Sequence, residues 1–158
     1  MKSRPRETRL PLWSRPGYLI RRLHQIHVAL FLEELRDSGL TPVQYGLLTA
    51  LNFRGELDQG SLAEELGLDR TSTAEVLKRL ERRKLVTRKP NPRDRRARLA
   101  RITPRGRSLT AAMFSSMQRA QDRMCAPLSQ KERDVFMATL ARLIEANNEY
   151  GRGALRID

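Results

Sequence analysis

The chain is 158 residues long and carries a net charge of +13, with 31 lysines and arginines against 18 acidic residues. This length lets one domain bury a core without disulfides, and the single cysteine, Cys125, excludes a disulfide framework or a cysteine metal cluster within the chain. No apolar run is long enough for a membrane span or a signal peptide, so we expect a soluble cytoplasmic protein with no membrane partner.

The positive charge is concentrated in one stretch of the chain. Residues 82–107 hold 12 basic residues and one acidic residue, whereas the residues before and after them are nearly balanced in charge. A confined group of cations is typical of phosphate binding, because it releases the counterions condensed on a nucleic acid. The alternative is a basic loop that only improves solubility.

A basic, proline-containing arm covers residues 1–15 and precedes a long predicted helix. Pro16 suits the first turn of this helix and Gly39 its C-terminal cap. Spacings of three and four residues predict a broad apolar face. It consists of Leu19, Ile20, Leu23, Ile26, His27, Leu30, Phe31 and Leu35.

A second helix and a pair of short helices follow. Thr41 caps the second helix, which turns Val43, Leu47, Leu48 and Leu51 to one side. Ser61 and Glu64 predict a capping box for the third helix, which ends at Gly67. Asp69 or Thr71 caps the fourth, which faces inward with Val76, Leu77 and Leu80. The short pair forms a helix-turn-helix pattern whose second member is the recognition helix.

A hairpin is predicted directly after the recognition helix. LVTRKP and RLARIT alternate apolar and polar residues, with Val86, Leu99 and Ile102 on the buried face, and the basic segment NPRDRRA joins them. Thr103 then caps a fifth helix, and a sixth follows the break at Pro127. The predicted fold is mainly α with a small two-stranded β wing, which is a winged helix-turn-helix lobe plus a helical region.

These elements together resemble the MarR family of bacterial transcription regulators. The resemblance rests on TPVQYGLLTAL, SLAEELGLDRTSTAEVLKRLERRKLV and DRRARLARITPRG, and it extends from about residue 16 to residue 150. The family's wing signature is D-x-R followed by a hydrophobic residue, Thr, two residues and Gly; Asp94, Arg96, Ile102, Thr103 and Gly106 match it. Lys84 departs from the family, which usually has a glycine before the wing, and Ile102 replaces the common leucine.

The resemblance implies an obligate homodimer that binds an inverted-repeat operator in double-stranded DNA. Residues 16–40 and 104–150 would form a helical dimerisation region, and residues 41–103 a winged helix-turn-helix DNA-binding lobe. The terminal helices support dimerisation independently, because their apolar faces are larger than one small domain can bury. Repression is the family's commoner mode of action.

DNA contacts are expected from the recognition helix and the wing. Arg70, Thr71, Ser72 and Thr73 open the helix, where side chains reach base edges. Lys78, Arg79, Arg82 and Arg83 lie further along it and either bind phosphates or only solvate the helix. At the wing we expect Arg96 in the minor groove, with Asp94 either holding its guanidinium or only forming the turn. Backbone contacts are expected from Arg93, Arg95 and Arg98.

An effector commonly binds between the dimerisation helices and the lobe in this family. Aromatic rings and imidazoles beside an arginine would suit an aromatic carboxylate or its thioester, which favours a regulator of aromatic-compound catabolism. Ordinary core packing or hydrogen bonding across an interface is the alternative for each of these residues. The expected lining is Trp13, Arg15, Tyr18, Arg22, His24, His27, Phe31 and Tyr45.

Other classes of protein receive less support. The sequence has no Gly-rich phosphate loop or paired carboxylates, so we expect no enzyme and no cofactor. His24 and His27, with Glu33 and Glu34 nearby, are too few for a metal centre. Two alternatives stay open: a non-specific basic architectural DNA-binding protein, and a redox-responsive regulator that uses Cys125.

Overall fold

The computed structural model describes residues 11–94 and 96–151, and within these residues it contains six α-helices and three short β-strands. The predicted fold class, mainly α with a small β wing, is confirmed. The helices are α1 (Pro16–Glu34), α2 (Pro42–Arg54), α3 (Gln59–Leu66), α4 (Arg70–Arg82), α5 (Pro104–Cys125) and α6 (Gln130–Ala146). The strands are β1 (Leu57–Asp58), β2 (Val86–Pro90) and β3 (Arg98–Ile102).

Side-chain caps fix where several of the helices begin. Thr41 and Thr103 cap α2 and α5, as the sequence predicts, and of the two candidates for α4, Asp69 and Thr71, the cap is Asp69. The capping box expected from Ser61 and Glu64 is wrong, because α3 begins earlier, after Asp58.

The Asp58 carboxylate is the cap of α3. It accepts hydrogen bonds from the backbone N–H groups of Gly60 (2.8 Å) and Ser61 (3.0 Å), and the Ser61 hydroxyl donates to its second oxygen (2.9 Å). A carboxylate is the stronger acceptor at a helix N-terminus, so it takes the capping position and the serine becomes its donor. These hydrogen bonds, with that from Ser61 foremost, hold the pKa of Asp58 below its ordinary value.

The sheet is antiparallel and has one strand more than the predicted hairpin. Its order is β1-β3-β2, with Val86 opposite Ile102 in the wing and Leu57 opposite Ala100 at the added strand. Ala100 and Ile102 are the buried positions of β3, whereas Leu99 is only half-buried. The expectation for Leu99 is therefore corrected: alternate residues of a strand share a face, and Leu99, directly before Ala100, lies on the face opposite to Ala100 and Ile102.

The core of the lobe is built from leucines of α2, α3 and α4 that close over the sheet. Leu47, Leu48 and Leu51 of α2 are fully buried, while Val43, expected beside them, is exposed. The other contributors are Leu62, Leu77, Leu80, Leu85, Val86, Ala100 and Ile102.

The junction between α4 and β2 is held tightly against the first turn of α5. Lys84 adopts a left-handed backbone with φ +58°, the conformation that a glycine accepts without steric cost. The Thr103 hydroxyl donates to the Lys84 carbonyl (2.8 Å), and the Thr103 N–H donates to the Leu85 carbonyl (3.0 Å). Gly106 then lies so close to Leu85 that a side chain there has no space.

Helices α1 and α5 pack along each other, whereas α6 is largely exposed to solvent. Arg119 and Arg123 of α5 bind Glu34 of α1 at 2.9 and 2.8 Å, and these two hydrogen bonds, Arg123 first, lower the Glu34 pKa. Within α1 only Phe31 is buried, and within α6 no residue is. The exposed apolar side chains include Leu19, Ile20, Ile26, Leu32, Val135, Met137, Leu143 and Ile144. No helix among the described residues has the length and hydropathy needed to cross a bilayer.

Candidate nucleic-acid interface

The outer surface of α4 presents most of the residues expected to contact DNA. Arg70, Thr71, Lys78 and Arg79 are exposed. Thr73 corrects the expectation, because it is fully buried and its hydroxyl donates to the Asp69 carbonyl at 2.9 Å. It therefore belongs to the inward face of the helix and cannot reach a base edge.

Local hydrogen bonds position the N-terminal end of α4. Asp69 accepts from the backbone N–H of Ser72 and from the Ser72 hydroxyl, both at 2.8 Å, so this half-buried serine is partly committed to the cap. The side-chain amide of Gln59 donates to the Arg70 carbonyl at 2.9 Å and ties the helix to α3. Gln59 was not predicted, because its role depends on a contact between two helices.

The wing is a turn closed by its own backbone and carrying exposed arginines. The Asn91 N–H donates to the Ala97 carbonyl, and the Ala97 N–H donates to the Asp94 carbonyl, each at 3.0 Å. The Asp94 carboxylate accepts from the backbone N–H of Arg96 at 2.9 Å. The sequence leaves two roles for Asp94, which are to hold the Arg96 guanidinium or to form the turn. This contact supports the turn, because the carboxylate accepts from the Arg96 backbone.

The wing arginines that are expected to contact DNA are exposed where the structure describes them. They include Arg93 and Arg96. Arg98 is also exposed and donates to the Arg88 carbonyl at 3.3 Å. Arg95 lies outside the described residues.

A groove of about 420 Å³ lies between the wing and α4, and residues of both candidate surfaces line it. Four arginines and two aspartates contribute to its lining, so the net charge of the lining is positive. They are Arg70, Arg88, Arg96, Arg98, Asp58 and Asp94.

An ion pair fixes the wing to the recognition helix. Arg88 of β2 donates to one oxygen of Glu81 of α4, from Nε at 3.0 Å and from Nη2 at 2.5 Å. This interaction holds the pKa of Glu81 below its ordinary value. Sequence reasoning missed the role of Arg88, although it lies within the basic stretch, because nothing local distinguishes an arginine paired inside the lobe from one that faces solvent.

Four of the residues expected at an effector site form a continuous series of rings. The ring centroids of His24 and His27, and of His27 and Phe31, are 6.3 Å apart, and those of Phe31 and Tyr45 are 5.9 Å apart with an edge-to-face arrangement. Burial, and then the nearby charge of His24, lowers the pKa of His27, which favours its neutral imidazole. The series leads from the surface of α1 to the buried Phe31 and Tyr45 of the core.

The other four residues expected at the effector site precede His24 in the chain. Trp13 and Arg15 are exposed, in and just after a 3₁₀ turn that precedes α1, and Trp13 retains 72% of its accessible surface. Tyr18 is half-buried, and Arg22 is exposed and donates weakly to Gln25 at 3.4 Å.

A cleft of about 610 Å³ between α2 and α5 adds residues that the sequence did not indicate. Tyr45 belongs to its lining, and burial raises the pKa of Tyr45, so its hydroxyl stays protonated. Two exposed phenylalanines, Phe53 (82%) and Phe114 (58%), flank it. Thr49, Asn52, Thr110 and Ala111 complete the lining, which contains no charged side chain from the described residues.

Cys125 and the potential metal ligands are the remaining candidates for a site. Cys125 is buried at the end of α5. Among residues 11–94 and 96–151 there is no group of three or more His, Cys, Asp or Glu side chains placed to hold a metal ion.

The recognition helix, the basic wing and the groove between them define a winged helix-turn-helix protein of the DNA-binding class. A model of the MarR family matches residues 38–97. The transcriptional repressor NicR of Pseudomonas putida is 29% identical over 135 residues, which are 85% of each chain.

Solved structures agree with this family match. PcaV of Streptomyces coelicolor, in complex with its natural ligand, is 34% identical with a TM-score of 0.79, over 88% of this chain and 98% of that one. BpsR of Bordetella bronchiseptica, whose DNA binding is regulated by 6-hydroxynicotinic acid, is 31% identical with a TM-score of 0.76, over 80% and 96% of the two chains. The chain therefore belongs to the MarR family of transcriptional regulators.

Proposed function

We propose that this regulator is a ligand-responsive repressor that binds an inverted-repeat operator as a homodimer and is released by a small aromatic acid or its thioester. The observation that carries the proposal is the cationic surface formed by α4 and the wing, continuous through the groove between them. Residues 41–103 are assigned to the DNA-binding lobe, and residues 16–40 and 104–150 to the dimerisation region.

The DNA contacts are assigned by exposure and position. Arg70, Thr71 and Ser72 at the start of α4 read base edges, while Lys78 and Arg79 further along it bind phosphates. Arg96 at the tip of the wing enters the minor groove, and Asp94 shapes the turn that presents it. Arg93, Arg95 and Arg98 contact the DNA backbone.

The homodimer is supported by the apolar surface of α1 and α6. Helix α6 contains no buried residue, yet Val135, Met137, Leu143 and Ile144 are among its exposed side chains. Large exposed apolar surface is rare on soluble monomers and is typical of subunit interfaces. A two-fold dimer places two recognition helices against two half-sites, which matches an inverted repeat.

The effector assignment is supported by the ring series of α1 and by the relatives. The DNA binding of BpsR is regulated by 6-hydroxynicotinic acid, which is an aromatic acid, and NicR is a transcriptional repressor. The cleft between α2 and α5 offers aromatic surface and hydroxyl groups, whereas a carboxylate also needs a counter-charge. We assign that role to Arg15, which directly precedes α1, and to Arg22 of α1.

The proposal is tested by fluorescence anisotropy with a duplex that the wild-type protein selects from a random-sequence pool, with excess random duplex as competitor. Arg96→Ala is expected to weaken binding about tenfold, the loss of about 1.4 kcal/mol from one minor-groove contact. Arg36→Ala removes the same charge outside the interface and serves as the control. Equal effects of the two substitutions would contradict the wing assignment.

The same assay separates the alternatives. Binding that random duplex competes away completely would favour the non-specific architectural protein. A panel of aromatic acids is then added with the matching primary amides. Release by an acid and not by its amide is expected, because only the acid carries the charge that Arg15 and Arg22 would neutralise.

A further inference from the structure

Arg83, the residue that follows α4, makes a contact that the DNA-binding surface does not explain. Its guanidinium reaches across to the connection between α1 and α2, where Nη1 donates to the Gly39 carbonyl at 2.9 Å and Nη2 donates to the Ser38 carbonyl at 2.8 Å. The sequence groups Arg83 with the basic residues of α4 that bind phosphate or only solvate the helix. The structure gives its side chain a different role.

The acceptor site for this guanidinium is rigid. The buried Ser38 ends a 3₁₀ turn, and its hydroxyl donates to the Leu35 carbonyl (2.7 Å) while accepting from the Leu40 N–H (3.1 Å). Gly39 follows in a left-handed conformation, φ +60°. Carbonyls at the end of a helical turn lack partners within it, and two successive ones match the fork of an arginine.

The recognition helix is therefore held at both ends. Gln59 binds the Arg70 carbonyl at the N-terminal end, and Arg83 binds the segment that directly continues α1 at the C-terminal end. From these two anchors we propose that Arg83 is a positioning residue, which sets the orientation of α4 relative to α1 and with it the placement of the base-reading residues. The inference rests on the proposed function, because it concerns operator recognition.

The test compares Arg83→Ala with Arg82→Ala and Arg83→Lys in the full chain. Arg82 is the matched control, since it carries the same charge one residue earlier and is exposed. Each protein is titrated with the selected duplex and with random duplex at several salt concentrations. Thermal unfolding is recorded for every variant.

A positioning role has a signature that loss of a phosphate contact does not share. For Arg83→Ala the ratio of operator affinity to random-duplex affinity is expected to fall about tenfold, which corresponds to about 1.4 kcal/mol from two lost charge-assisted hydrogen bonds. Its salt slope is expected to equal that of the wild type, because loss of a phosphate contact instead lowers the slope by about 0.9. For Arg82→Ala the ratio is expected to stay unchanged.

Arg83→Lys keeps the charge but cannot fork to two carbonyls, so it is expected to lose most of the affinity ratio as well. It also serves as the second variant if Arg83→Ala unfolds. Full recovery of the ratio by lysine, or a lower salt slope for Arg83→Ala, would overturn the inference. If the wild-type protein itself does not discriminate the selected duplex, the proposed function fails and the inference falls with it.

Discussion

Replacing Gly106 with alanine tests how α5 is attached to the wing. An added Cβ would lie 2.7 Å from Cγ1 of Ile102 and 3.2 Å from the carbonyl carbon of Leu85, and closer still to the Leu85 carbonyl oxygen. Neither neighbour is free to move, since Ile102 is in the core and the Leu85 carbonyl accepts the N–H of Thr103. The first turn of α5 must therefore shift away from Leu85 and Ile102.

The cost can be assembled from the contacts involved. Overpacking of a filled core costs about 1–3 kcal/mol. The shift also weakens the two hydrogen bonds of Thr103 to Lys84 and Leu85, each worth about 0.5–1.5 kcal/mol. Alanine in a helix offsets about 0.5–1 kcal/mol through its smaller loss of backbone entropy. The net destabilisation is about 2 kcal/mol, which lowers the Tm by about 4–8 °C for a chain of this size.

Thermal unfolding by circular dichroism measures the effect, with all proteins at one concentration because the proposed dimerisation would make the Tm depend on concentration. Gly17→Ala is the matched control: Gly17 lies in the first turn of α1, and its added Cβ meets nothing within 4 Å. The control is expected to leave the Tm unchanged or raise it slightly. An equal or higher Tm for Gly106→Ala would refute the steric reasoning.

Two further substitutions probe the same lobe. Lys84→Gly is expected to stabilise the protein by about 0.5–1 kcal/mol in denaturant unfolding, because the left-handed conformation of a lysine costs about 1–2 kcal/mol and glycine's greater unfolded-state entropy offsets part of the gain. A loss of stability would mean that the lysine side chain contributes more than its backbone costs. Because Arg88 lowers the folded-state pKa of Glu81 below its ordinary 4.5, their ion pair stabilises the fold above that pH, and the contribution disappears as the pH falls through the lowered value. Glu81→Gln should therefore flatten the acid side of the Tm-against-pH curve, and parallel curves would contradict this role.

The elements of the lobe could be predicted from the sequence because their signals are local. Thr41, Asp69 and Thr103 each precede a helix that they cap, and the alternation of β2 and β3 lies within a few residues. The strand β1 could not be predicted, since two residues are too few to show a period. It exists because it pairs with β3, about forty positions later in the chain.

The candidate site was predictable in part. The basic residues of the wing are visible as composition, but Thr73 was misjudged, although its spacing from Leu77 and Leu80 places all three on one helical face. Phe53 and Phe114 lie on α2 and α5, and only the packing of those helices brings them to one cleft. A contact between distant segments, such as that of Arg83 with Ser38, could not be predicted, because neither segment alone shows which residue its partner is.

The attachments of the lobe limit how an effector can act on DNA binding. Glu81 and Arg88 tie the wing to α4, and Thr103 with Gly106 ties the wing to α5. These attachments oppose motion within the lobe, so in the proposed dimer an effector would act on the placement of one lobe relative to the other. An effector shifts that placement only by binding the two arrangements with different affinity, and a tenfold loss of operator binding requires about 1.4 kcal/mol of such difference. Because Arg83 ends at the segment that continues α1, its removal should also weaken the response of DNA binding to the effector.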